Sequence, residues 1–391
     1  MIKLINKMYL CNFIIEYFCG KRTNNDAENN LEFIMSQPKT TINKSKGLDD
    51  LGGTGYMNAS LQCLSNIPEF KNYFLEKYNI NTDNILANEF HELILNLWRK
   101  NMQESSYTPH SFKQTLGSLN PLFDGIQAND AKDLINFLLE NLHKELNVII
   151  NNNNTITSQI QDQTNEELTL KLFKEEFEQK YNSLISNLFY GLSESEYLCQ
   201  GCGIIKYTFQ SYSMLEFPLQ QVNQYFYSIG KKPLLSPNNK NPDVNLDECF
   251  EFNEKANAIT GDNQIYCNKC NRTCNVVHST KLYTAPNYLI INLNRGKDVK
   301  YECNVDFPEQ LDLTKYLKFT NKNTNFELYA VISFLNGDFV AYIKNDVDKS
   351  WYLYNNSVVT QCSKHNQYKD GMPYILFYQV LNGKKKSKFL G

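Results

Sequence analysis

The sequence predicts an α+β fold, with helices in the amino-terminal half and strands in the carboxyl-terminal half. Apolar residues recur at helical spacing in Asn88–Lys100 and Gln127–Leu146. By contrast, Thr284–Arg295 is a nearly continuous apolar run, which is typical of a buried strand. Two Cys-x-x-Cys pairs, Cys199–Cys202 and Cys267–Cys270, precede that run. Helical and strand segments in separate parts of a chain favour the α+β class.

Length and composition indicate a globular chain without a strong bias toward a charged partner. With 391 residues, the sequence can form one large elaborated domain or two to three ordinary ones. Hydrophobic residues make up 42%, enough for a sizeable core, and the net charge is −3 with an isoelectric point near 6.0. Because so weak a field would not gather nucleic acid or anionic lipid, neither nucleic acid nor a membrane is expected as a partner.

The eleven cysteines are interpreted as reduced thiols rather than as a disulfide scaffold. The apolar run Met8–Phe18 contains Asn12 and Glu16 and lacks a clean small-residue cleavage site, so it does not fit a secretory signal. It is also shorter than the roughly 20 apolar residues that span a bilayer. We therefore expect a cytoplasmic or nuclear protein.

Four segments are predicted to be peripheral to the main domain. Residues 1–46 form an amino-terminal extension that ends in the polar linker Asn24–Ser45. Residues 383–391 form a basic tail. Asn147–Asn165 consists largely of Asn, Thr and Gln, which is typical of a loop insert, and Pro237–Pro242 is a turn-rich insert.

A glycine-rich turn leads into a helix in the segment Gly47–Phe70, which reads GLDDLGGTGYMNASLQCLSNIPEF. Gly52, Gly53 and Gly55 are followed by helical periodicity from Tyr56 onward. A loop that opens a buried helix is a place where a nucleophile would lie. The segment resembles the amino-terminal motif of the ubiquitin-specific proteases, which are papain-like cysteine peptidases with the pattern G-L-x-N-x-G-x-T-C-Y-M-N-x-x-L-Q. The positions that fit are Gly47, Leu48, Gly52, Thr54, Tyr56, Met57, Asn58, Leu61 and Gln62.

Two positions of this motif depart from the family in ways that affect chemistry. Gly55 occupies the position of the catalytic cysteine, so the resemblance implies that the attacking thiolate is missing. Asp50 occupies the position of the Asn whose amide donates to the oxyanion. An ionised carboxylate only accepts hydrogen bonds, so it would repel the developing negative charge.

The helix predicted for Gln127–Leu146 resembles the second motif of the family, approximately Q-D-A-x-E-F-L. Asp130 and Ala131 follow the pattern, whereas Asn129 replaces the usual Gln. In the family this helix packs beside the helix of the cysteine, so a scaffolding role is expected. His143 is then expected on its polar face and not in catalysis.

The two Cys-x-x-Cys pairs supply four thiolates, Cys199, Cys202, Cys267 and Cys270, which suit a tetrahedral structural zinc. Cys274 follows closely and is either a spare thiol or an alternative ligand, while His278 is a weaker candidate. The family has such a zinc ribbon in its fingers subdomain, which supports the distal side of ubiquitin. The resemblance therefore implies fingers at about residues 188–283.

The remaining catalytic positions are also altered. Residues 326–342 resemble the family pattern Y-x-L-x-A-V-x-x-H-x-G followed by G-H-Y-x-A-Y, where the second histidine is the general base. Asp338 replaces that histidine, Phe334 replaces the earlier one, and the connecting loop is shorter. A carboxylate with a pKa of about 3.9 is a poor match to a thiol near 8.5. In Trp351–Asn356, which resembles W-Y-x-F-[ND]-D, Asn355 takes the position that would orient the imidazole.

The resemblance extends from Gly47 to about Val380 and implies a papain-like ubiquitin-specific protease fold over residues 47–382, with thumb, palm and zinc-bearing fingers. The leading hypothesis is a pseudoenzyme that has lost the cysteine, the histidine and the oxyanion donor, and that binds ubiquitin or ubiquitinated proteins.

Two alternatives remain open at this point. One is an active deubiquitinase with another thiol, for which Cys63 is the nearest in sequence. Cys63 lies about two helical turns, or roughly 12 Å, beyond Gly55 and is expected in the core. The other is a scaffold for a partner other than ubiquitin. Cys362 and His365 form a possible nucleophile and base pair, which we interpret as a coincidence within a loop.

Overall fold

The computed structural model describes residues 44–100, 103–148, 163–232, 243–320, 324–364 and 366–381. Most of the predicted amino-terminal extension, both predicted inserts except the ends of the first, and the basic tail lie outside these residues. Within the described ranges, no helix combines the length and the apolar character needed to cross a bilayer.

The amino-terminal half is helical, as its periodicity predicts. Its helices are α1 Gly55–Ser65, α2 Pro68–Asn72, α3 Ile85–Trp98, α4 His110–Leu119, α5 Ala131–Leu146, α6 Glu166–Lys180 and α7 Leu184–Phe189. A π-helical turn, Tyr73–Lys77, continues α2, and a 3-10 turn, Pro121–Phe123, follows α4. Two short strands, β1 Gly47–Leu48 and β2 Ser106–Tyr107, pair in parallel.

Helix α1 is the centre of this half, because all of its residues are buried. Helix α5 packs its apolar face, including Leu134, Leu138 and Leu142, into the same core. The side chain of Asp130 caps α5 by accepting from the Lys132 N–H at 2.8 Å. It also accepts from the Tyr374 hydroxyl at 2.6 Å, which joins the helical half to the sheet.

The prediction that His143 lies on a polar helix face is wrong. Its imidazole is buried and stacks on Tyr181 with ring centroids 5.0 Å apart, while Nδ1 lies 2.7 Å from the Ser183 hydroxyl. Burial lowers the pKa of His143, so the neutral form is favoured in this apolar setting.

The carboxyl-terminal half contains most of the strands. They are β3 Gly191–Cys199, β4 Ile205–Tyr212, β5 Leu215–Pro218, β6 Asp243–Asn245, β7 Asn257–Ile259, β8 Ile265–Cys267, β9 Arg272–Cys274, β10 Val276–Thr284, β11 Tyr288–Asn294, β12 Asn304–Asp306, β13 Gln310–Asp312, β14 Asn325–Leu335, β15 Asp338–Lys344, β16 Trp351–Asn355, β17 Val358–Gln361 and β18 Met372–Val380. Helices α8 Leu219–Ser228 and α9 Leu246–Asn253 lie among them, with 3-10 turns at Gly261–Asn263, Lys297–Val299 and Gln367–Lys369.

One predicted strand is divided in the structure. The run Thr284–Arg295 contains the last residue of β10 and all of β11, and Pro286 lies between them. Proline lacks the N–H that a ladder needs, which explains the break.

The palm is a sheet in the order β17-β16-β15-β14-β18-β11-β5, and β13 pairs with β14. Both faces of the sheet are covered. Along β18, Ile375 and Phe377 pack toward α1, α3 and α5, whereas Leu376 and Tyr378 pack toward α8 and α9. Covered faces on both sides explain why β18 is apolar at nearly every position.

The fingers are a four-stranded sheet in the order β4-β3-β10-β7, with the hairpin β8–β9 beside it. They do not form one continuous block over residues 188–283. Between Leu215 and Asn253 the chain returns to the palm, because Phe217, Val222 and Phe250 are buried in the second core.

Candidate functional site

The two positions predicted to have held nucleophile and base, Gly55 and Asp338, lie against each other. A Cβ added to Gly55 would collide with both carboxylate oxygens and the Cγ of Asp338. Gly55 is not among the glycines with positive φ, so its backbone would tolerate other residues. In this rotamer Asp338 fills the volume that a side chain at position 55 would need, so any such side chain requires the Asp338 carboxylate to turn away.

A tight hairpin places Asp338 at this point. Leu335 and Asp338 are paired across β14 and β15, and only Asn336 and Gly337 lie between them. Both turn residues have positive φ, 52° and 90°, as a two-residue hairpin turn of the primed type requires. The Asn-Gly pair is a strong hairpin signal, which could have located this turn from the sequence alone.

Amide groups surround the carboxylate of Asp338. Its Oδ1 accepts from the N–H of Phe339 at 2.8 Å, and its Oδ2 lies 3.4 Å from the Asn356 amide nitrogen. The Asn356 side-chain oxygen in turn accepts from the amide of Asn58, on α1, at 2.8 Å. This cluster can accept and donate hydrogen bonds, but it contains neither a thiol nor an imidazole.

Asn355, predicted to take the orienting position, does not face Asp338. It ends β16 next to the buried Tyr354, so strand alternation turns its side chain outward, where it is exposed. Asn356 follows with a φ of 51°, and its side chain turns back toward the site. Asn adopts this left-handed conformation more readily than most residues. As a result, Asn356, and not Asn355, contacts Asp338.

Asp50 stabilises the loop that opens α1. Its Oδ1 accepts from the N–H of Thr54 at 2.9 Å, the Thr54 hydroxyl at 2.8 Å and the N–H of Gly52 at 3.2 Å. Burial alone would raise the pKa of Asp50, but these hydrogen bonds outweigh it and hold the pKa below its ordinary value. Asp50 is therefore ionised at neutral pH and offers acceptors, not the donor that an oxyanion needs.

The alternative thiols are poorly placed for catalysis. Cys63 is fully buried at 0% exposure, and burial raises the pKa of its thiol well above the ordinary value. Burial, together with the charge of Asp370, raises the pKa of Cys362 to about 11. His365, the possible base considered with Cys362, lies outside the described residues.

The four cysteines predicted as metal ligands come together at the tip of the fingers. The sulfurs of Cys199, Cys202, Cys267 and Cys270 all lie within 4.8 Å of one another. The Cys199–Cys270 and Cys202–Cys267 sulfurs are 3.9 and 3.6 Å apart. Zinc–sulfur bonds of about 2.3 Å at tetrahedral angles require sulfurs roughly 3.8 Å apart, so the arrangement fits a tetrahedral four-thiolate site.

The backbone of the first Cys-x-x-Cys turn favours a thiolate at Cys199. Desolvation raises the pKa of this thiol, but N–H groups of Cys202 and Gly201 directed at its sulfur outweigh desolvation and lower the pKa to about 6. The turn is closed by a hydrogen bond from the Gly203 N–H to the Cys199 carbonyl at 2.9 Å. Gly203 has a φ of 74°, which glycine adopts without strain.

Comparison with known proteins identifies the family. The family model described as ubiquitin carboxyl-terminal hydrolase matches residues 46–378. The chain belongs to this family. Ubiquitin carboxyl-terminal hydrolase 2 of Bos taurus is 27% identical over 354 residues, which cover 85% of this chain and 55% of that protein. Ubiquitin carboxyl-terminal hydrolase 5 of Saccharomyces cerevisiae is 25% identical over 402 residues, which cover 88% and 47%. The chain thus spans about half the length of these relatives.

Solved structures confirm the ubiquitin-specific protease fold. A SAGA DUB module that contains a substituted Ubp8 with Sgf11, Sus1 and Sgf73, bound to monoubiquitin, matches with a TM-score of 0.63 and 19% identity, covering 92% of this chain and 75% of that chain. The SAGA Ubp8/Sgf11/Sus1/Sgf73 DUB module bound to ubiquitin aldehyde matches with a TM-score of 0.62 and 18% identity, covering 91% and 74%. This ubiquitin carboxyl-terminal hydrolase family member therefore has the predicted thumb, palm and fingers.

The contact between Gly55 and Asp338 predicts that Gly55→Ala lowers the free energy of unfolding when Asp338 is present and raises it when Asp338 is replaced by alanine. Gly55→Ala should destabilise the protein by about 1–3 kcal/mol, because the new methyl group overlaps the carboxylate. In an Asp338→Ala background the same substitution should stabilise it by less than about 1 kcal/mol, because alanine is the better helix former and Gly55 is the first residue of α1. Urea unfolding of the unmodified chain, the two single variants and the double variant measures the effect of Gly55→Ala on the free energy of unfolding in each background. A stabilising Gly55→Ala in the unmodified background would show that Asp338 does not restrict position 55.

Proposed function

We propose that this chain is a catalytically inactive member of the ubiquitin-specific proteases that binds ubiquitin or ubiquitinated proteins. The observation that carries the first part is the occupation of the nucleophile's space by the Asp338 carboxylate. Isopeptide hydrolysis by this family's chemistry needs a thiolate that attacks the carbonyl, a base that deprotonates the thiol, and a hydrogen-bond donor for the oxyanion. Gly55 offers no attacking atom, Asp338 supplies no imidazole, and Asp50 places negative charge near where the oxyanion would develop.

Support for ubiquitin as the partner comes from the preserved architecture and from the similar structures. The Ubp8 modules are bound to monoubiquitin and to ubiquitin aldehyde. In this chain, α5, the palm strand β11 and the fingers, which resemble the family elements around ubiquitin, are all formed. An active enzyme that uses Cys63 is disfavoured, because that thiol is buried and its pKa is raised.

Charge near the start of α1 suits the tail of ubiquitin, which carries arginines before its terminal glycines. Asp50 is exposed in the loop that opens α1, and Asp338, half-buried at the start of β15, lies against Gly55, the first residue of that helix. Carboxylates pair well with guanidinium groups. We propose that these two residues contact the tail without cutting it.

We further propose that Cys199, Cys202, Cys267 and Cys270 hold one structural zinc, since their spacing fits four thiolate bonds. A reducing, cytoplasmic or nuclear setting agrees with this proposal, because none of the nine cysteines in the described ranges forms a disulfide.

Purified protein should show no cleavage of ubiquitin amide substrates and no labelling by a ubiquitin probe that carries a thiol-reactive group. Gly55→Cys alone should restore little activity, since Asp338 supplies no imidazole and its carboxylate crowds the new side chain. Restoration requires at least Gly55→Cys with Asp338→His. Probe labelling of the unmodified protein that disappears in Cys63→Ala would contradict inactivity and favour an unusual nucleophile.

The protein should bind mono-ubiquitin with a Kd in the micromolar range, roughly −8 kcal/mol. Ubiquitin that lacks its last residues should bind more weakly, because the tail carboxylate contacts are lost. Asp50→Asn should weaken binding of full-length ubiquitin only, since it removes the charge but keeps the accepting oxygen.

Asp312→Asn is the matched control in this titration. Asp312 is the last residue of β13, and its carboxylate, like that of Asp50, accepts from the N–H and the hydroxyl of a nearby threonine, here Thr314. Calorimetric titration measures the binding of each ubiquitin form to the unmodified chain and to each of the two variants. Equal affinity for both ubiquitin forms would refute the tail contact alone. An absence of saturable binding below about 1 mM would reject ubiquitin as the partner and favour a scaffold for another protein.

Elemental analysis of unchelated protein should give one zinc per chain. Cys199→Ser should lower this content and reduce the stability of the fingers by several kcal/mol, because metal binding is largely folding energy for a ribbon with little apolar core. Hydrogen exchange localises the effect to β8, β9 and the ends of β3 and β10. Freshly purified protein without zinc would rule out the site.

A further inference from the structure

Five thiols, and not four, converge at the tip of the fingers. The fifth belongs to Cys274, the last residue of β9, which is 3% exposed. It packs in one buried cluster with Cys199 and Cys267, against which Cys202 and Cys270 also lie. The family pattern of two Cys-x-x-Cys pairs does not account for this thiol.

Gly201 shows how close the fifth thiol is to the others. A Cβ on Gly201 would lie 3.1 Å from the sulfur of Cys270, 3.2 Å from that of Cys274 and 3.7 Å from that of Cys199. Gly201 is not among the positive-φ glycines, so space and not conformation explains the glycine. The three sulfurs surround one small gap that a side chain would fill.

The backbone holds Cys274 in this position, while its sulfur is held weakly. Cys274 pairs with Ile265 in the β8–β9 hairpin, and the N–H of Gln200 donates to the carbonyl of the following Asn275 at 3.0 Å. The Cys274 thiol makes one long hydrogen bond, 3.7 Å, to the carbonyl of Arg272, and it also interacts with the thiols of Cys270 and Cys199. Its sulfur therefore lies among the proposed ligands without a short hydrogen bond to the backbone.

We propose that Cys274 is a reserve zinc ligand that replaces Cys270; this rests on the zinc site proposed above. In the exchange, the bond from zinc to Cys270 breaks and a bond to Cys274 forms. The proton of the Cys274 thiol passes to the Cys270 thiolate, directly or through water, so that the total charge of the site is unchanged. Cys270 is the ligand exchanged because its sulfur borders the gap shared with Cys274, whereas that of Cys202 is not among the three nearest sulfurs. Cys199 also borders the gap, but it is buried whereas Cys270 is half-buried.

Metal binding by serine variants of the full chain tests the proposal. Zinc affinity is measured by competition with a chromophoric chelator, and the number of thiolates by the charge-transfer absorption of the Co²⁺-substituted protein. Cys274→Ser should match the unmodified chain. Cys270→Ser should keep the four-thiolate absorption and lose less than about tenfold in affinity, whereas Cys270→Ser with Cys274→Ser should lose more than about a hundredfold.

Cys202→Ser is the matched control, since it also removes one half-buried ligand. It should lose more than about a hundredfold whether or not Cys274 is present. Equal losses for Cys270→Ser with and without Cys274 would refute the reserve ligand while leaving the zinc site intact. An unmodified chain without zinc would instead refute the site itself.

A second measurement needs no substitution and so does not depend on how the variants fold. Zinc-loaded protein is treated with a small alkylating agent, and modification of each cysteine is followed by peptide mass spectrometry. Cys270 should react several times faster than Cys202, because it leaves the metal while Cys274 occupies its place. Equal protection of Cys270 and Cys202 would contradict the exchange.

Discussion

The contact between the Asp338 carboxylate and the first turn of α1 is the constraint on which the rest of the site depends. Helix α1 is wholly buried and therefore cannot move away from the sheet to make room for a side chain at Gly55. Asp338 cannot move along its strand either, because the two-residue turn fixes its register against Leu335. Glycine at position 55 and aspartate at position 338 are thus compatible with each other, whereas a larger side chain at position 55 would displace the carboxylate.

The side-chain amides of Asn58 and Gln62, near this contact, also attach α1 to neighbouring segments. Asn58 donates to the Leu48 carbonyl at 3.2 Å as well as to Asn356, and so ties β1 and the β16–β17 turn to α1. Gln62 donates to the Lys46 carbonyl at 2.7 Å and accepts from Ser45 at 2.9 Å. Because these amides hold α1 in the fold, a chain can keep the motif around a nucleophile after the nucleophile is gone. The same contacts show why Ser45, predicted as the end of a linker, is buried.

Periodicity and motif order were sufficient for the fold, while side-chain geometry at the site was not predictable from them. Helices α3 and α5 follow from apolar spacing, and β11 follows from the nearly continuous apolar character of Thr284–Arg295. The resemblance placed Gly55 and Asp338 at the nucleophile and base positions, but the overlap of the Asp338 carboxylate with a Cβ at position 55 could not be inferred, because it depends on the side chain's rotamer. Asn356, and not Asn355, lies next to Asp338. Strand alternation ends at Asn355, the last residue of β16, and the left-handed conformation of Asn356 then turns its own side chain toward the site.

The fingers differ from the palm in what holds them together, because the cysteine cluster lies in the fingers and the site around Gly55 lies beside the palm. Their sheet encloses a small apolar cluster of Leu192, Phe209 and Tyr283, so little of its stability comes from a core. At the base, the buried Glu194 pairs with Lys318 at 2.7 Å, and Lys318 also reaches Glu166 at 2.9 Å, which fastens the sheet to α6. At the tip, the cysteine cluster joins β3 to the β8–β9 hairpin. Thiol contacts therefore contribute to the cohesion of the tip, whereas the ion pair fixes the base of the sheet. The fifth thiol, Cys274, belongs to this cluster and adds to the contacts between β3 and the hairpin.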